Sequence, residues 1–243
     1  MKFAREGYPF ILTTSLLAAL VWAVVPFSDT WVAIPALLLT VLTAFVCYFF
    51  RDPERPTPSG GGIVLSPGDG KIIDIQEIDE PSFFEGPSRR ITIFLSVLNV
   101  HVQRSPITGL VEHREYRPGA YAVAWAPKAS ESNEQASLGV STPWGPVLVK
   151  QIAGLIARRI VTYPERGDRV VIGDRIGLIR FGSRVDIFLP LHWPLSCQVG
   201  DKAVGGRTVF AHVKDLPDTV GSSEGEDAQV AKTQNVTTQE ANA

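Results

Sequence analysis

Two uncharged apolar stretches at the start constrain this chain most. No Asp, Glu, Lys or Arg falls between Gly7 and Ser28, and none between Thr30 and Phe50. Each stretch has about the 20 residues a helix needs to cross a bilayer. Asp29 divides them, with Pro26 nearby, which predicts a transmembrane helical hairpin over residues 1–52. Pro9, Pro26 and Pro35 leave open a shallower hairpin that does not fully cross. A secretory signal peptide is a third reading, since Lys2 and Arg5 precede an apolar run, but the second run makes it a poor signal. Lys2 and Arg5 flank the pair on one side and Arg51 and Arg55 on the other, while the turn between carries only Asp29. The positive-inside rule then places the protein in the cell membrane, with both ends and the following domain facing the cytoplasm.

Pro53–Gly62 is rich in Pro, Gly and Ser and reads as a linker over residues 53–62. Beyond it the pattern changes to short β runs: Lys71–Ile75, Arg90–Val97, Leu110–Tyr116, Ala120–Trp125, Val147–Ile152, Arg169–Ile172, Arg175–Ile179, Arg184–Leu189 and Thr208–Val213. Gly, Asp, Pro and Asn punctuate them, and Gly173-Asp174 and Gly200-Asp201 have the composition of tight turns. The expected fold is a mainly β (β-rich α+β) catalytic domain over residues 63–215, preceded by the hairpin. The stretch 216–243 is polar, acidic and free of aromatics, which predicts a disordered tail.

Composition narrows the function classes. The two cysteines, Cys47 and Cys197, give no disulfide framework, and four scattered histidines without paired spacing predict no metal site. The tail from Asp215 holds six acids and one lysine, leaving 22 basic and 19 acidic residues elsewhere. That slight positive balance suits an anionic membrane surface but is too weak to argue one, and no basic run points to nucleic acid.

Taken singly, the polar residues that could carry chemistry read as structure. Ser66-Pro67-Gly68-Asp69-Gly70-Lys71 is a turn. His101 stands alone among apolar residues, as a hydrogen-bonded core histidine does. Gly182-Ser183 sits between two β runs, where a bend or bulge is ordinary. Arg158-Arg159 resembles a solvated edge, and Trp125, Trp144 and Trp193 resemble packing residues. His113, His192 and His212 have no evident partner.

Their order along the chain says more. Phe49-Phe50-Arg51-Asp52-Pro53-Glu54-Arg55, Ser66-Pro67-Gly68-Asp69-Gly70, and Asn99-Val100-His101-Val102-Gln103-Arg104-Ser105-Pro106 with Gly109 come first. Gln151-Ile152-Ala153-Gly154 through Ala157-Arg158-Arg159-Ile160, Phe181-Gly182-Ser183, and Val199-Gly200-Asp201-Lys202 through Thr208-Val209 follow. Together they resemble the phosphatidylserine decarboxylase family, in its short bacterial and archaeal type, from about Phe49 to Val213. Two departures stand out. Arg184 follows the serine where Thr is frequent. Larger members carry two histidines three positions apart; His101 matches the first and Arg104 stands in place of the second, the processing base there. His113 is the other candidate for that role.

The resemblance implies pyruvoyl-dependent conversion of phosphatidylserine to phosphatidylethanolamine, after self-cleavage between Gly182 and Ser183. It implies two associated chains, 1–182 and 183–243, a phospholipid substrate, and a covalent pyruvoyl cofactor made from Ser183. Decarboxylating an amino acid leaves an electron pair on the α-carbon. Side chains are poor electron sinks, so a carbonyl group is needed. Ser183 Oγ would attack the Gly182 carbonyl with His101 as base and Asp69 as its orienting partner. The resulting ester would eliminate to dehydroalanine, which hydrolyses to pyruvoyl and ammonia. Arg104, Arg158, Arg159 and Arg184 are the candidates to meet the substrate's phosphate and carboxylate. Because the processing residues all lie beyond the linker, removing Met1–Phe50 is expected to leave cleavage intact. Rival readings are a membrane-anchored Ser–Lys peptidase using Ser183 with Lys150 or Lys71, a carrier module, a non-catalytic scaffold, and the same chemistry on another serine phospholipid such as archaetidylserine.

Overall fold

The computed structural model describes residues 2–58, 62–119, 133–154, 159–180 and 183–213. Helices α1 (Tyr8–Val24) and α2 (Ala33–Phe49) fold back on each other. Trp22 Nε1 donates to Thr40 Oγ1 at 3.0 Å between them. With their flanking 3-10 turns the helical segments run Arg5–Phe27 and Thr30–Phe49, long and apolar enough to cross a bilayer. At the foot of the pair Phe3 and Arg51 form an antiparallel bridge. Gly7 is needed there, because a Cβ at this position would lie 2.5 Å from the Phe50 side chain.

Leu12, Leu16, Leu20, Leu37, Leu38 and Val41 point outward from the helices. Helices apolar all round need apolar surroundings, and the protein covers few of these residues. Membrane association accounts for such a surface.

The rest of the described chain is strand. In order come β1 (Ile63–Leu65), β2 (Gly70–Glu80), β3 (Gly86–Leu95), β4 (Val102–Arg104), β5 (Gly109–Arg117), β6 (Gln135–Thr142), β7 (Gly145–Ala153) and β8 (Ile160–Thr162). Next are β9 (Arg169–Val170), β10 (Arg175–Ile179), β11 (Ser183–Leu189), β12 (Lys202–Ala203) and β13 (Val209–His212). An antiparallel, curled eight-stranded sheet has the order β12-β2-β3-β11-β7-β6-β5-β9, beside a three-stranded sheet β4-β10-β8 and the pair β1-β13.

Alternation builds the core. Ile91, Ile93 and Leu95 on β3 and Val185, Ile187 and Leu189 on β11 turn to one face and join the main hydrophobic cluster. The small sheet is fastened to the large one by polar side chains. Gln151 Nε2 donates to Gln103 Oε1 at 2.9 Å, and Thr162 Oγ1 donates to Gln151 Oε1 at 2.7 Å.

Most expected β runs coincide with strands, and Gly173 and Gly200 take the positive φ angles, 87° and 100°, that their turns require. The run Ala120–Trp125 and the tail from residue 214 lie outside the described residues. β1, β4, β6, β8 and β12 carry no run of their own in the sequence. The stretch read as a linker is docked where it is described: Pro53 accepts from Arg104 Nη2 at 2.9 Å, and Arg55 reaches Asp69.

Candidate active site

Four strand ends meet at one edge of the large sheet. β2 begins there at Gly70, β3 ends at Leu95, β11 begins at Ser183 and β7 ends at Ala153. Ser183 is paired with Leu95 on one side and Ala153 on the other. It is fully buried on the face of Val185 and Ile187, and its hydroxyl has no hydrogen-bond partner among the described residues. Leaving a buried hydroxyl unpaired costs about 1–3 kcal/mol. Among the described residues the fold gains no hydrogen bond from that oxygen. Gly182 lies outside the described residues.

Asp69 sits in the turn that leads into β2. The turn leans on the neighbours of Ser183: a Cβ on Gly68 would lie 3.6 Å from Leu95 and 3.8 Å from Val185. The Asp69 carboxylate is taken up by Arg55, which donates to both oxygens at 2.6 and 2.8 Å, and by the Gly205 N–H at 2.8 Å. Both side chains of this pair are nearly buried. The orienting partner expected for a histidine is therefore committed to an arginine.

His101 lies between β3 and β4. Its carbonyl accepts from the Ile179 N–H at the end of β10, at 3.5 Å. Ser183 lies four positions beyond Ile179, a span of at most about 14 Å. The imidazole is fully buried, and its Nδ1 lies 3.0 Å from the Asn99 carbonyl. A carbonyl only accepts, so Nδ1 carries the hydrogen and Nε2 holds the lone pair. Burial pushes the His101 pKa from the ordinary 6.5 down to about 4; the Asn99 hydrogen bond and the charge of Asp69 oppose this, and Arg51 adds to it. At neutral pH the ring is thus an uncharged base. Phe49, the last residue of α2, stacks on it with centroids 4.3 Å apart. Arg51 donates to the Leu98 carbonyl at 2.8 Å and ties the helix foot to the loop that carries the histidine.

The other candidates separate. Arg104 is buried and spent on the carbonyls of Gly173 and Pro53 and on Asp52, so it neither meets a substrate nor replaces the second histidine. Arg184 is one residue from Ser183 but on the opposite sheet face, where it pairs with Asp186 at 2.7 and 3.0 Å and reaches Thr92. Neither Arg104 nor Arg184 is left for a headgroup. Arg158 is outside the described residues, while Arg159 is exposed just before β8. His113 is on β5, separated from β11 by β7 and β6. Its row crosses β6 at Gly139 and β7 at Leu148 and meets β11 at Phe188, five residues along from Ser183, so it is displaced from the serine both across the strands and along them. Lys150, opposite Asp186, faces away from Ser183 and binds Glu80 at 2.7 Å. Lys71 stands opposite Phe94, one place out of line with Ser183, and is exposed. Neither lysine forms the dyad of a Ser–Lys peptidase.

Arg55, Asn99, Phe49 and Arg180 were not singled out by their sequence. Arg55 and Phe49 carried a signal as members of the Phe49–Arg55 motif, and Asn99 as the first residue of the Asn99–Pro106 motif; Arg180 carried none.

The chain is similar in sequence to known proteins. The family profile described as phosphatidylserine decarboxylase matches residues 42–211. A phosphatidylserine decarboxylase proenzyme of Symbiobacterium thermophilum is 46% identical over 215 residues, covering 86% of this chain and 95% of the relative. One of Salinibacter ruber is 49% identical over 187 residues, 75% of this chain and 82% of the relative. A third, of Desulfotalea psychrophila, is 44% identical over 211 residues, 86% of this chain and 96% of the relative.

Proposed function

The chain belongs to the phosphatidylserine decarboxylase family, and from that premise we propose that it is made as a proenzyme, cuts itself between Gly182 and Ser183, and then decarboxylates phosphatidylserine to phosphatidylethanolamine. The observation that carries the reading is the buried, unpartnered hydroxyl of Ser183 at the head of β11. The relatives' shared name, proenzyme, agrees with a serine that is spent in maturation.

In this reading Ser183 Oγ attacks the carbonyl of Gly182 and the peptide becomes an ester. His101 takes the hydroxyl proton through Nε2, its Nδ1 being held by Asn99. Asp69 acts at one remove, holding Arg55 and the Gly205 turn against the turn that packs beside Ser183. Elimination breaks the ester, frees the Gly182 carboxylate and leaves dehydroalanine at position 183. Water then releases ammonia and a pyruvoyl end.

Residue 183 would hold that group at the buried head of β11, between Leu95 and Ala153. When formed, it supplies the carbonyl electron sink that decarboxylation needs. In this reading His101, uncharged beforehand with a pKa near 4, would take up a proton that the substrate amine gives up and return it to the α-carbon after carbon dioxide leaves. The two fragments stay together because β11 is hydrogen-bonded on both sides to strands of the first. The hairpin would hold this site at the bilayer surface with the domain on the cytoplasmic side, where the basic flanks lie.

The purified protein should show two masses under denaturing conditions: residues 1–182, and the 61 residues from position 183 to Ala243. The shorter chain should resist N-terminal sequencing because it ends in a ketone. Wild-type protein that decarboxylates phosphatidylserine as one intact chain would overturn the proposal.

A further inference from the structure

Arg180 and Arg159 face each other across a strand pair. Ile179 on β10 is in register with Ile160 on β8, and one residue further the Arg180 N–H donates to the Arg159 carbonyl at 3.3 Å. Like charges directly opposite each other destabilise a sheet. No carboxylate among the described residues is bonded to either guanidinium. Glu6, the acid whose charge reaches Arg180, is already bonded to Arg5 and to the Tyr163 hydroxyl. Arg180 Nε is buried without a partner among the described residues. Burial, and then Arg159, lower the Arg180 pKa from its ordinary value. The fold thus holds two cations together, one partly stripped of water, with donors to spare. An anion would offset that cost.

The position identifies the anion. The Arg180 guanidinium lies over the ring of Phe10, 5.2 Å from its centroid, in the first turn of α1. That is where the apolar hairpin ends and the catalytic edge begins. Arg180 is three residues before Ser183, at most about 11 Å away along the chain. Next to it, Ile179 is hydrogen-bonded to His101. A phosphate held here would be within one lipid headgroup of both. Arginine forks match phosphate oxygens in pairs.

We propose that Arg159 and Arg180 form the phosphate clamp of the substrate lipid, seating the headgroup so that its serine reaches position 183. The proposal rests on the decarboxylase reading and adds a residue pair that selects a phospholipid over free serine.

The test uses the full-length, detergent-solubilised enzyme and the variants Arg180→Gln, Arg180→Lys and Arg159→Gln. Chain cleavage is read by mass, kinetics with dihexanoyl-phosphatidylserine, and affinity by calorimetry with dihexanoyl-phosphatidylethanolamine and with inorganic phosphate alone. Losing a charged hydrogen bond to phosphate should raise KM about 10- to 100-fold. In Arg180→Gln we expect that rise with kcat within about threefold, full cleavage, and an equal loss of affinity for the short-chain lipid. Arg180→Lys should recover part of both. If Arg180→Gln does not fold, Arg159→Gln, at an exposed position, carries the same measurements. An unchanged KM and lipid affinity, or a fall in kcat alone, would refute the clamp. So would a loss confined to inorganic phosphate, which would make the pair a free-phosphate site. A wild-type enzyme that is uncut and inactive would instead refute the decarboxylase reading, while the binding measurements still judge the clamp.

Discussion

The ring of Phe49 lies on the imidazole of His101, with centroids 4.3 Å apart and planes 35° apart. One residue closes the second apolar helix and the other is the proposed base, so the helical pair and the candidate site share a packing contact. Phe50 extends it, edge-on to Phe49 at 5.0 Å and stacked on Phe10 at 5.5 Å. The expectation that the hairpin can be removed without harm to processing does not fit this arrangement.

Phe49→Ala should therefore slow chain cleavage. Phe49 is fully buried, and truncating such a residue costs about 3–5 kcal/mol. The cavity would admit water to His101 and let its pKa rise from about 4 toward 6.5. Deleting Met1–Phe50 should act in the same direction and more strongly. The fraction of cleaved chain, read by mass at fixed times after synthesis, measures both. Cleavage at the wild-type rate in either variant would show that the contact is packing alone.

Ser183→Ala should remain one chain and be inactive. His101→Ala should leave most protein uncut, since losing a general base costs about 10² to 10⁴ in rate. If His101→Ala is cut normally yet cannot decarboxylate, the histidine serves only the second reaction.

Asp69→Ala should also remain uncut, because it releases the Arg55 and Gly205 contacts that hold the turn beside Ser183. It strands the buried Arg55 guanidinium, and breaking a buried pair costs about 3–5 kcal/mol. Replacing both partners, Asp69→Ala with Arg55→Met, should recover stability without recovering cleavage. Recovery of cleavage in the double variant would mean that Asp69 only supports the fold.

Stability should fall in two stages on acidification. His101 has a folded-state pKa of about 4 against an ordinary 6.5. Between those values the unfolded chain binds more protons, so stability rises with pH and is lost as pH falls from 6.5 to 4. Glu80 belongs to a lower window. Burial would raise its pKa, but Lys150, Ser82 and the Phe83 N–H together hold it at about 2 against an ordinary 4.5. Its contribution is present above 4.5 and lost as pH falls toward 2. Denaturant titrations of the Ser183→Ala chain should show both slopes, and His101→Gln should flatten the upper one alone. An unchanged upper slope in His101→Gln would assign that window to other groups.

What the sequence disclosed follows from where the physical signal lies. The two apolar helices were legible because a lipid-facing surface needs an unbroken uncharged run. β10 and β11 were legible because Arg175–Ile179 and Arg184–Leu189 are apolar, β-rich runs between turns. β6 was not, because Gln135–Thr142 packs Ser and Gly among its apolar residues. Asp69, His101 and Ser183 came through motif order; Asp69 lies in the turn before β2, His101 in the loop between β3 and β4, and Ser183 at the head of β11. The partner of Asp69 was not legible. Arg55 is fourteen positions away in a stretch that reads as linker, and nothing local announces a bidentate pair. Arg184 misled for the opposite reason. Adjacency to Ser183 suggested a shared site, whereas strand alternation sends the two side chains to opposite faces.

The cytoplasmic orientation of the domain is the last matter to test, and the native cysteines are poor reporters for it. The Cys197 thiol is half-buried and donates to the Phe210 carbonyl at 3.8 Å. Burial, and then Asp201, push its pKa up to about 11, so little thiolate forms at pH 7. Cys47 lies in α2. Two introduced cysteines are better placed. Val199 is 57% exposed in the turn before β12, and Asp29 is the only charge between the helices. In a background lacking Cys47 and Cys197, a membrane-impermeant maleimide should label Asp29→Cys in intact cells. It should label Val199→Cys only after the cells are opened. Labelling of Val199→Cys in intact cells would place the domain outside and sink the positive-inside argument. Protection of both in intact cells would leave the domain inside but replace the spanning hairpin with a shallow one.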